Sequence, residues 1–238
     1  MKADLDDKIL KIGEKISIRR FEKVTADVVA SYIHGGGRIG VLVAGNGASD
    51  DAAKEALTNI AMQIAAMNPQ YISRDEISAD ELAKMKEITI DSALNDPFSL
   101  PKPVLSKLIE KAVAGVWSAE DVAIYEEKKS NMNFLPNFLS KEAKAQLAEI
   151  ACADKEEISG NKIFSGLVEG RISKQMKEIC LLDQGYVKAE DGKQTVAAYL
   201  KSVNPALKIA KFVRFEVGEG MEKKNEDFAA EVAKQMNV

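Results

Sequence analysis

Two short apolar runs early in the chain predict a pair of neighbouring strands. They cover residues 28–34 (VVASYIH) and 39–44 (IGVLVA), and three glycines separate them. Apolar runs joined by a short glycine loop are typical of a β-hairpin. The second run lacks polar alternation, which predicts a strand buried on both faces. A similar pattern predicts another strand at residues 16–24 (ISIRRFEKV).

A helix is predicted directly after this hairpin. Ser49, Asp50 and Asp51 supply a helix-start signal, because their side-chain oxygens can accept hydrogen bonds from the first free backbone N–H groups. Apolar residues then recur at helical spacing as far as Met67, and Pro69 stops the helix. The predicted core-facing stripe consists of Ala53, Ala56, Leu57, Ile60, Ala61 and Ile64.

The middle of the chain, residues 74–182, is predicted to be almost purely helical. Prolines divide it into several helices, and two of the segments, 103–116 and 162–180, each carry one apolar stripe. Such stripes indicate packing against other helices, either of this chain or of a second copy. The stripes consist of Val104, Leu105, Leu108, Ile109, Ala112, Val113 and Val116, and of Ile163, Phe164, Leu167, Val168, Ile172, Met176 and Ile179.

Strand periodicity returns near the C-terminus. Apolar residues alternate through 207–217 (LKIAKFVRFEV), with an interruption at Lys211, and a last amphipathic helix carries Phe228. We therefore predict an α+β fold, in which a small antiparallel-sheet core with packed helices is interrupted by a large helical insertion. The predicted divisions are a helical remnant or linker at 1–15, a discontinuous core at 16–75 and 183–225, the insertion at 76–182 and a C-terminal helical module at 226–238.

Composition narrows the classes of function. Apolar residues make up 46% of the chain and charged residues 29%, as in ordinary globular proteins. The net charge of −4, with basic residues interspersed among acids, argues against a nucleic-acid-binding face. Cys152 and Cys180 stand alone, so we expect neither a disulfide framework nor a zinc site, and a reducing cytoplasm as the setting. No apolar run approaches the roughly 18 residues that cross a bilayer, so membrane binding is not expected.

Residues 35–40 match the Gly-x-Gly-x-x-Gly pattern formally, which raises the hypothesis of a phosphate cradle. That chemistry requires the glycines to follow a strand and to begin a helix, whose free N–H groups and dipole hold the phosphates. Here the glycines lead into another strand, so we do not expect nucleotide binding. A second candidate, Gly45-Asn46-Gly47, lacks the lysine and serine of a phosphate loop and is interpreted as a strand-to-helix turn.

His34 is the only histidine in the chain, and two interpretations of it stay open. It could act as a general base if a carboxylate or a nucleophile met it in space, but the sequence shows no such partner. A lone histidine at a hairpin tip is more often a surface or contact residue. The sequence also lacks a nucleophile–base signature and a metal-ligand cluster, so we expect a non-catalytic binding protein without a cofactor.

Several stretches, in this order and spacing, resemble the bacterial translation elongation factor Ts family, the guanine-nucleotide exchange factors of elongation factor Tu. The resemblance covers residues 8–75 and 160–238 and implies exchange without catalytic chemistry. The stretches that carry it are KIGEKISIRR at 11–20, SYIHGGGRIGVLVAGNG at 31–47, NIAMQIAAMNP at 59–69, LVEGRISKQ at 167–175 and FVRFEVGEGMEKKNEDFAAEVAKQM at 212–236.

The resemblance also implies which residues contact elongation factor Tu. Ile12 and Gly13 correspond to contacts with its nucleotide-binding domain, and His34, Gly35 and Gly36 to the tip that meets its third domain. Val187 matches a position in the same contact region, although Gly185-Tyr186 replaces the usual proline and phenylalanine. Phe228 belongs to the C-terminal helix that reaches back to elongation factor Tu.

The sequence departs from the family in two places. The Thr-Asp-Phe-Val motif, which the family presses against the partner's nucleotide domain, is not found in these residues, so we expect the sequence to be part of a longer protein. The second departure is that residues 95–157 have no counterpart in the helical hairpin through which the family dimerises. An alternative function is therefore a helical assembly module, in which the enlarged insertion recruits a partner or forms a homodimer.

Overall fold

The structure is a computed structural model that describes residues 2–220, and the chain divides into two compact units. Of the described residues, 2–68 and 197–220 form the sheet unit, and 69–196 form the helical unit. The sheet and the large set of helices confirm the predicted α+β class. The finer division into domains drawn from the sequence stays a prediction.

The sheet unit contains three antiparallel strands in the order β1, β2, β3. Strand β1 covers Val28–His34, β2 covers Ile39–Asn46 and β3 covers Lys208–Glu216. The predicted hairpin is confirmed by the pairing of β1 with β2, in which Tyr32 lies opposite Val41. The predicted alternating strand is confirmed as β3, which pairs with β2 and shifts register at a bulge between Ala44 and Gly45.

The prediction of a strand at residues 16–24 is wrong, because that segment has no regular secondary structure. A strand requires backbone pairing with a neighbour, and alternating side chains alone do not supply it. The segment is held instead by side chains. Lys211 Nζ forms an ion pair with Glu22 Oε2 at 3.0 Å. The Arg20 guanidinium lies 4.6 Å from the centre of the Phe215 ring. Arg20 also pairs with Glu219 at 3.1 Å.

Helix α1 covers Lys2–Ile12, and α2 covers Asp51–Met67. The predicted start of α2 is confirmed, since the Asp50 carboxylate accepts a hydrogen bond from the Ala53 N–H at 2.8 Å. The helix ends at Asn68, which adopts a left-handed conformation with φ of 46° immediately before Pro69. All six residues of its predicted stripe are buried, and α2 packs against β1 and β2. A short helix, α9 (Val196–Val203), precedes β3.

The helices of the helical unit confirm that the middle of the chain is almost purely helical. Its helices are α3 (Ala79–Asn95), α4 (Lys102–Gly115), α5 (Ala119–Lys128), α6 (Lys141–Ala153), α7 (Lys155–Ser159) and α8 (Lys162–Ile179). Helix α3 packs against α6 and α8, and α4 packs against α6. Each of the two predicted stripes contributes buried residues to this unit. Two residues differ from the prediction: Val116 lies just after α4 and is 44% exposed, and Ile163 lies in the first turn of α8 and is 54% exposed.

The core of the helical unit also includes Trp117, whose indole N–H donates to the Ala143 carbonyl at 2.9 Å. Among residues 2–220, no helix is both long enough and apolar enough to cross a membrane.

Candidate protein-binding surface

The tip of the β1–β2 hairpin is built from three consecutive glycines in the left-handed region. The φ angles of Gly35, Gly36 and Gly37 are 58°, 65° and 97°. Side chains with a Cβ are strained at such angles, so glycine allows the chain to reverse tightly between His34 and Ile39. The formal phosphate-binding pattern therefore spans the turn and the start of β2, and it does not begin an α-helix. Its glycines shape a turn.

His34 is exposed at the last position of β1, where the turn begins. Residues 28, 30, 32 and 34 share one face of the strand. Val28 and Ala30 are buried, Tyr32 is partly buried and His34 is exposed. The side chains on this face of β1 thus become more exposed toward the tip, and the imidazole of His34 lies in solvent. The Tyr32 hydroxyl lies 3.0 Å from His34 Nδ1, and the two ring centroids are 5.8 Å apart.

Large apolar side chains are also exposed at this end of the sheet, and Ile33, the neighbour of His34 in β1, projects from the opposite face of the strand. Ile33 is 65% exposed and Val217 is 71% exposed. The Val217 N–H donates to the Arg38 carbonyl at 2.9 Å, which carries the end of β3 to the hairpin tip. Exposed apolar residues concentrated at one end of a sheet are typical of a surface that contacts another protein. Sequence reasoning did not single out Ile33 or Val217, because only the strand register shows that both lie at the tip.

The remaining candidate residues of the sheet unit lie at the end of α1. No residue of α1 is buried, and its apolar side chains Leu10 and Ile12 are 83% and 60% exposed. Gly13 ends the helix with a φ of 80°, and its N–H donates to the Ile9 carbonyl at 2.8 Å. The structure therefore brings Ile12 and Gly13 together as an exposed helix end. The exposure of Leu10 was not predicted, because in the sequence Leu10 looks like one apolar position of an amphipathic helix.

Val187 belongs to the helical unit and is 48% exposed. The preceding Tyr186 is buried, and its N–H donates to the Gln194 carbonyl at 2.8 Å, which anchors the loop. Asp191 closes the same loop by accepting hydrogen bonds from the N–H groups of Lys193 and Gln194. These backbone hydrogen bonds hold the pKa of the Asp191 carboxyl below its usual value. Phe228 lies outside the described residues.

The surroundings of His34, of the acidic groups and of the two cysteines bear on what chemistry this part of the chain could support. Within residues 2–220 the hydrogen-bond partner of the His34 ring is a phenol rather than a carboxylate. In the same part of the chain, no group of three or more His, Cys, Asp or Glu side chains is placed to hold a metal ion. Both cysteines are free, and burial raises the pKa of the Cys180 thiol.

The fold and the tip together define a small α+β protein with an exposed glycine hairpin. The family model described as "Elongation factor TS" matches residues 1–219. A relative named "Elongation factor Ts" from Clostridioides difficile (strain 630) is 38% identical over 236 residues, which are 98% of this chain and 58% of the relative. The relatives of the same name from Clostridium botulinum (strain Eklund 17B / Type B) and Halothermothrix orenii (strain H 168) are each 36% identical, over 96% and 98% of this chain.

The chain therefore belongs to the elongation factor Ts family. It spans between 56% and 58% of the length of these relatives.

Proposed function

We propose that this chain binds elongation factor Tu and promotes the release of GDP from it. The observation that carries the proposal is the hairpin tip, where a three-glycine turn leaves His34 in solvent at the same end of the sheet as the exposed side chains of Ile33 and Val217. This surface suits recognition of a protein, since it combines a polar ring with exposed apolar area.

The proposal assigns separate contacts to separate segments. His34, Gly35 and Gly36 would meet the third domain of elongation factor Tu, and Ile12 and Gly13 its nucleotide-binding domain. Val187 would contribute to the contact with the third domain, and Phe228 would belong to a C-terminal contact. The exposure of His34, Ile12 and Val187 supports these roles.

The mechanism is one of linked binding equilibria and involves no catalytic chemistry. A factor that binds nucleotide-free elongation factor Tu more tightly than the GDP complex must, by reciprocity, weaken the binding of GDP. Such a factor needs no cofactor and no direct contact with the nucleotide, and it would work in the cytoplasm. The 238 residues contain no Thr-Asp-Phe-Val motif. We therefore propose that they supply binding contacts and, alone, stimulate GDP release only weakly.

Replacing His34 tests this function. His34→Ala should weaken binding to nucleotide-free elongation factor Tu by about 5- to 30-fold, the effect of losing about 1–2 kcal/mol at an interface. The melting temperature should stay nearly unchanged, because the ring is exposed. Binding is measured by titration, and release is followed with fluorescent GDP in the same samples.

Lys208→Ala is the matched control, because Lys208 is also exposed but lies at the end of the sheet opposite the tip. It should leave binding unchanged. Equal affinities of His34→Ala and the unaltered chain would contradict the proposed contact, and a large drop in melting temperature would indicate a structural histidine instead.

The alternative function, a helical assembly module, is favoured by one observation on the helical unit. An open groove of about 370 Å³ lies in the region of α3 and α8. Its lining combines four apolar side chains with four polar or charged ones: Ile77, Leu82, Ile172 and Met176, and Arg74, Lys86, Glu169 and Ser173. Leu82 is 43% exposed in it. Under this alternative the groove would bind a second copy of the chain or another helical partner.

A further inference from the structure

The strongest additional feature of the tip is the pair formed by Tyr32 and His34. The two residues are separated by one position on β1, so both side chains project from the same face of the strand. The phenol oxygen lies 3.0 Å from His34 Nδ1, within hydrogen-bonding distance. The rings are tilted by 40° with their centroids 5.8 Å apart, so they also contact through their faces and edges.

The two members of the pair differ in how firmly they are held. Tyr32 is partly buried and lies opposite Val41, which is only 2% exposed. His34 projects into solvent beyond it. The tyrosine is therefore anchored at the end of the core, whereas the imidazole depends on the tyrosine for its orientation.

The hydrogen bond has a chemical consequence for the imidazole. A neutral histidine carries one ring proton, and the nitrogen that accepts a hydrogen bond is the one without it. A tyrosine hydroxyl that donates to Nδ1 therefore favours the tautomer with its proton on Nε2. In that tautomer the exposed edge of the ring presents an N–H donor.

We propose that Tyr32 is a positioning residue that fixes the ring orientation and tautomer of His34, so that Nε2–H faces a partner as a hydrogen-bond donor. The group that fits such a donor is a carbonyl or carboxylate oxygen on the partner surface. This inference rests on the proposed function, since it concerns how His34 contacts elongation factor Tu. It adds Tyr32 to the residues on which this contact depends. It also requires that the partner atom facing His34 Nε2 be a hydrogen-bond acceptor.

Tyr32→Phe is the informative variant, because it removes the hydroxyl and keeps the ring that packs at the end of the core. The first measurement is nitrogen-15 NMR of the imidazole at pH 8, where histidine is neutral. The spectrum is unambiguous, since the chain has one histidine. We expect the unaltered chain to show the Nε2–H tautomer with a hydrogen-bonded Nδ1, and Tyr32→Phe to show the Nδ1 resonance of a free imidazole. An Nδ1–H tautomer in the unaltered chain, or identical spectra, would overturn the inference.

The second measurement is affinity for nucleotide-free elongation factor Tu. Tyr32→Phe should weaken binding by about three- to tenfold, as expected for a weakened hydrogen bond at an interface. The same change in a His34→Ala background should have no further effect, because a positioning residue acts only through the residue it positions. An additional loss in the double variant would show that Tyr32 contacts the partner directly and would overturn the positioning role.

The two proposals fail in distinguishable ways. If His34→Ala weakens binding and Tyr32→Phe does not, the role of Tyr32 is overturned and the proposed contact survives. If His34→Ala leaves binding unchanged, the proposed contact at the tip is overturned, and with it the presentation of Nε2–H to elongation factor Tu.

Discussion

At the scale of single residues, the base of the hairpin depends on Gly47. Its φ of 92° lies in the left-handed region, and a Cβ added there would collide with the Ala206 carbonyl. Its N–H donates to the Asp27 carboxylate at 2.9 Å, and the Asp27 N–H donates to the Asn46 side chain at 3.2 Å. These contacts fasten the end of β2 to the residue before β1, at the opposite end of the hairpin from His34.

Gly47→Ala should therefore destabilise the protein by about 2–4 kcal/mol, because it combines backbone strain with a steric clash against backbone atoms. The free energy of unfolding is measured by urea titration with circular dichroism. Gly166→Ala serves as the control. Gly166 lies in α8 with open space around it, so alanine there should stabilise the helix by about 0.5–1 kcal/mol. Similar effects of the two substitutions would contradict the role given to Gly47.

At the scale of elements, α5 and α6 are joined at their starts by a shared hydrogen-bond network. Ser118 caps α5 and Ser140 caps α6. The buried Asp121 carboxylate accepts from both serine hydroxyls, at 2.8 and 3.0 Å, and from the Ser140 N–H at 2.9 Å. Burial alone would raise the pKa of Asp121, but these hydrogen bonds outweigh it and hold the pKa below its usual value.

Asp121→Asn should cost about 1–3 kcal/mol at pH 7, because an amide cannot accept all three hydrogen bonds. A lowered pKa contributes stability that is present above the unfolded-state value, about 3.9 for aspartate, and is lost as the pH falls through the folded-state value. The difference between the unaltered chain and the variant should thus stay constant from pH 7 to 5 and shrink below about pH 4.

Unfolding can be followed by the fluorescence of Trp117, because Trp117 is the only tryptophan and its indole N–H donates a hydrogen bond to a carbonyl of α6. Glu120→Gln is the control, because Glu120 occupies the same helix turn and is exposed. Its effect should stay within about 0.5 kcal/mol. A difference between Asp121→Asn and the unaltered chain that persists unchanged to pH 2 would show that the ionised carboxylate is not what stabilises the network.

At the scale of the whole molecule, the sequence predicts elements whose signals are local. The hairpin, α2 and β3 follow from periodicity and from glycine, aspartate and proline at their ends. Residues 16–24 have the same local pattern but form no strand, because a strand also requires a backbone partner elsewhere in the chain. Likewise, the positions of Val217 and Asp121 follow from strand register and helix packing, which periodicity does not encode. His34 stands out in the sequence as the only histidine, whereas its hydrogen bond with Tyr32 follows from the geometry of β1.

Self-association of the whole chain distinguishes the assembly-module alternative from exchange alone. If the groove of the helical unit binds a second copy, the chain should sediment as a dimer at micromolar concentration. Leu82→Glu should convert it to a monomer, because it places a charge among the apolar side chains of the lining.

Leu10→Glu is the matched control. Leu10 is 83% exposed but belongs to the sheet unit, so this change should leave a groove-mediated dimer intact. A monomer at every concentration would contradict the alternative. A dimer that survives Leu82→Glu would place the self-contact outside the groove. Binding of elongation factor Tu should be insensitive to Leu82→Glu if the hairpin tip and the groove serve separate functions.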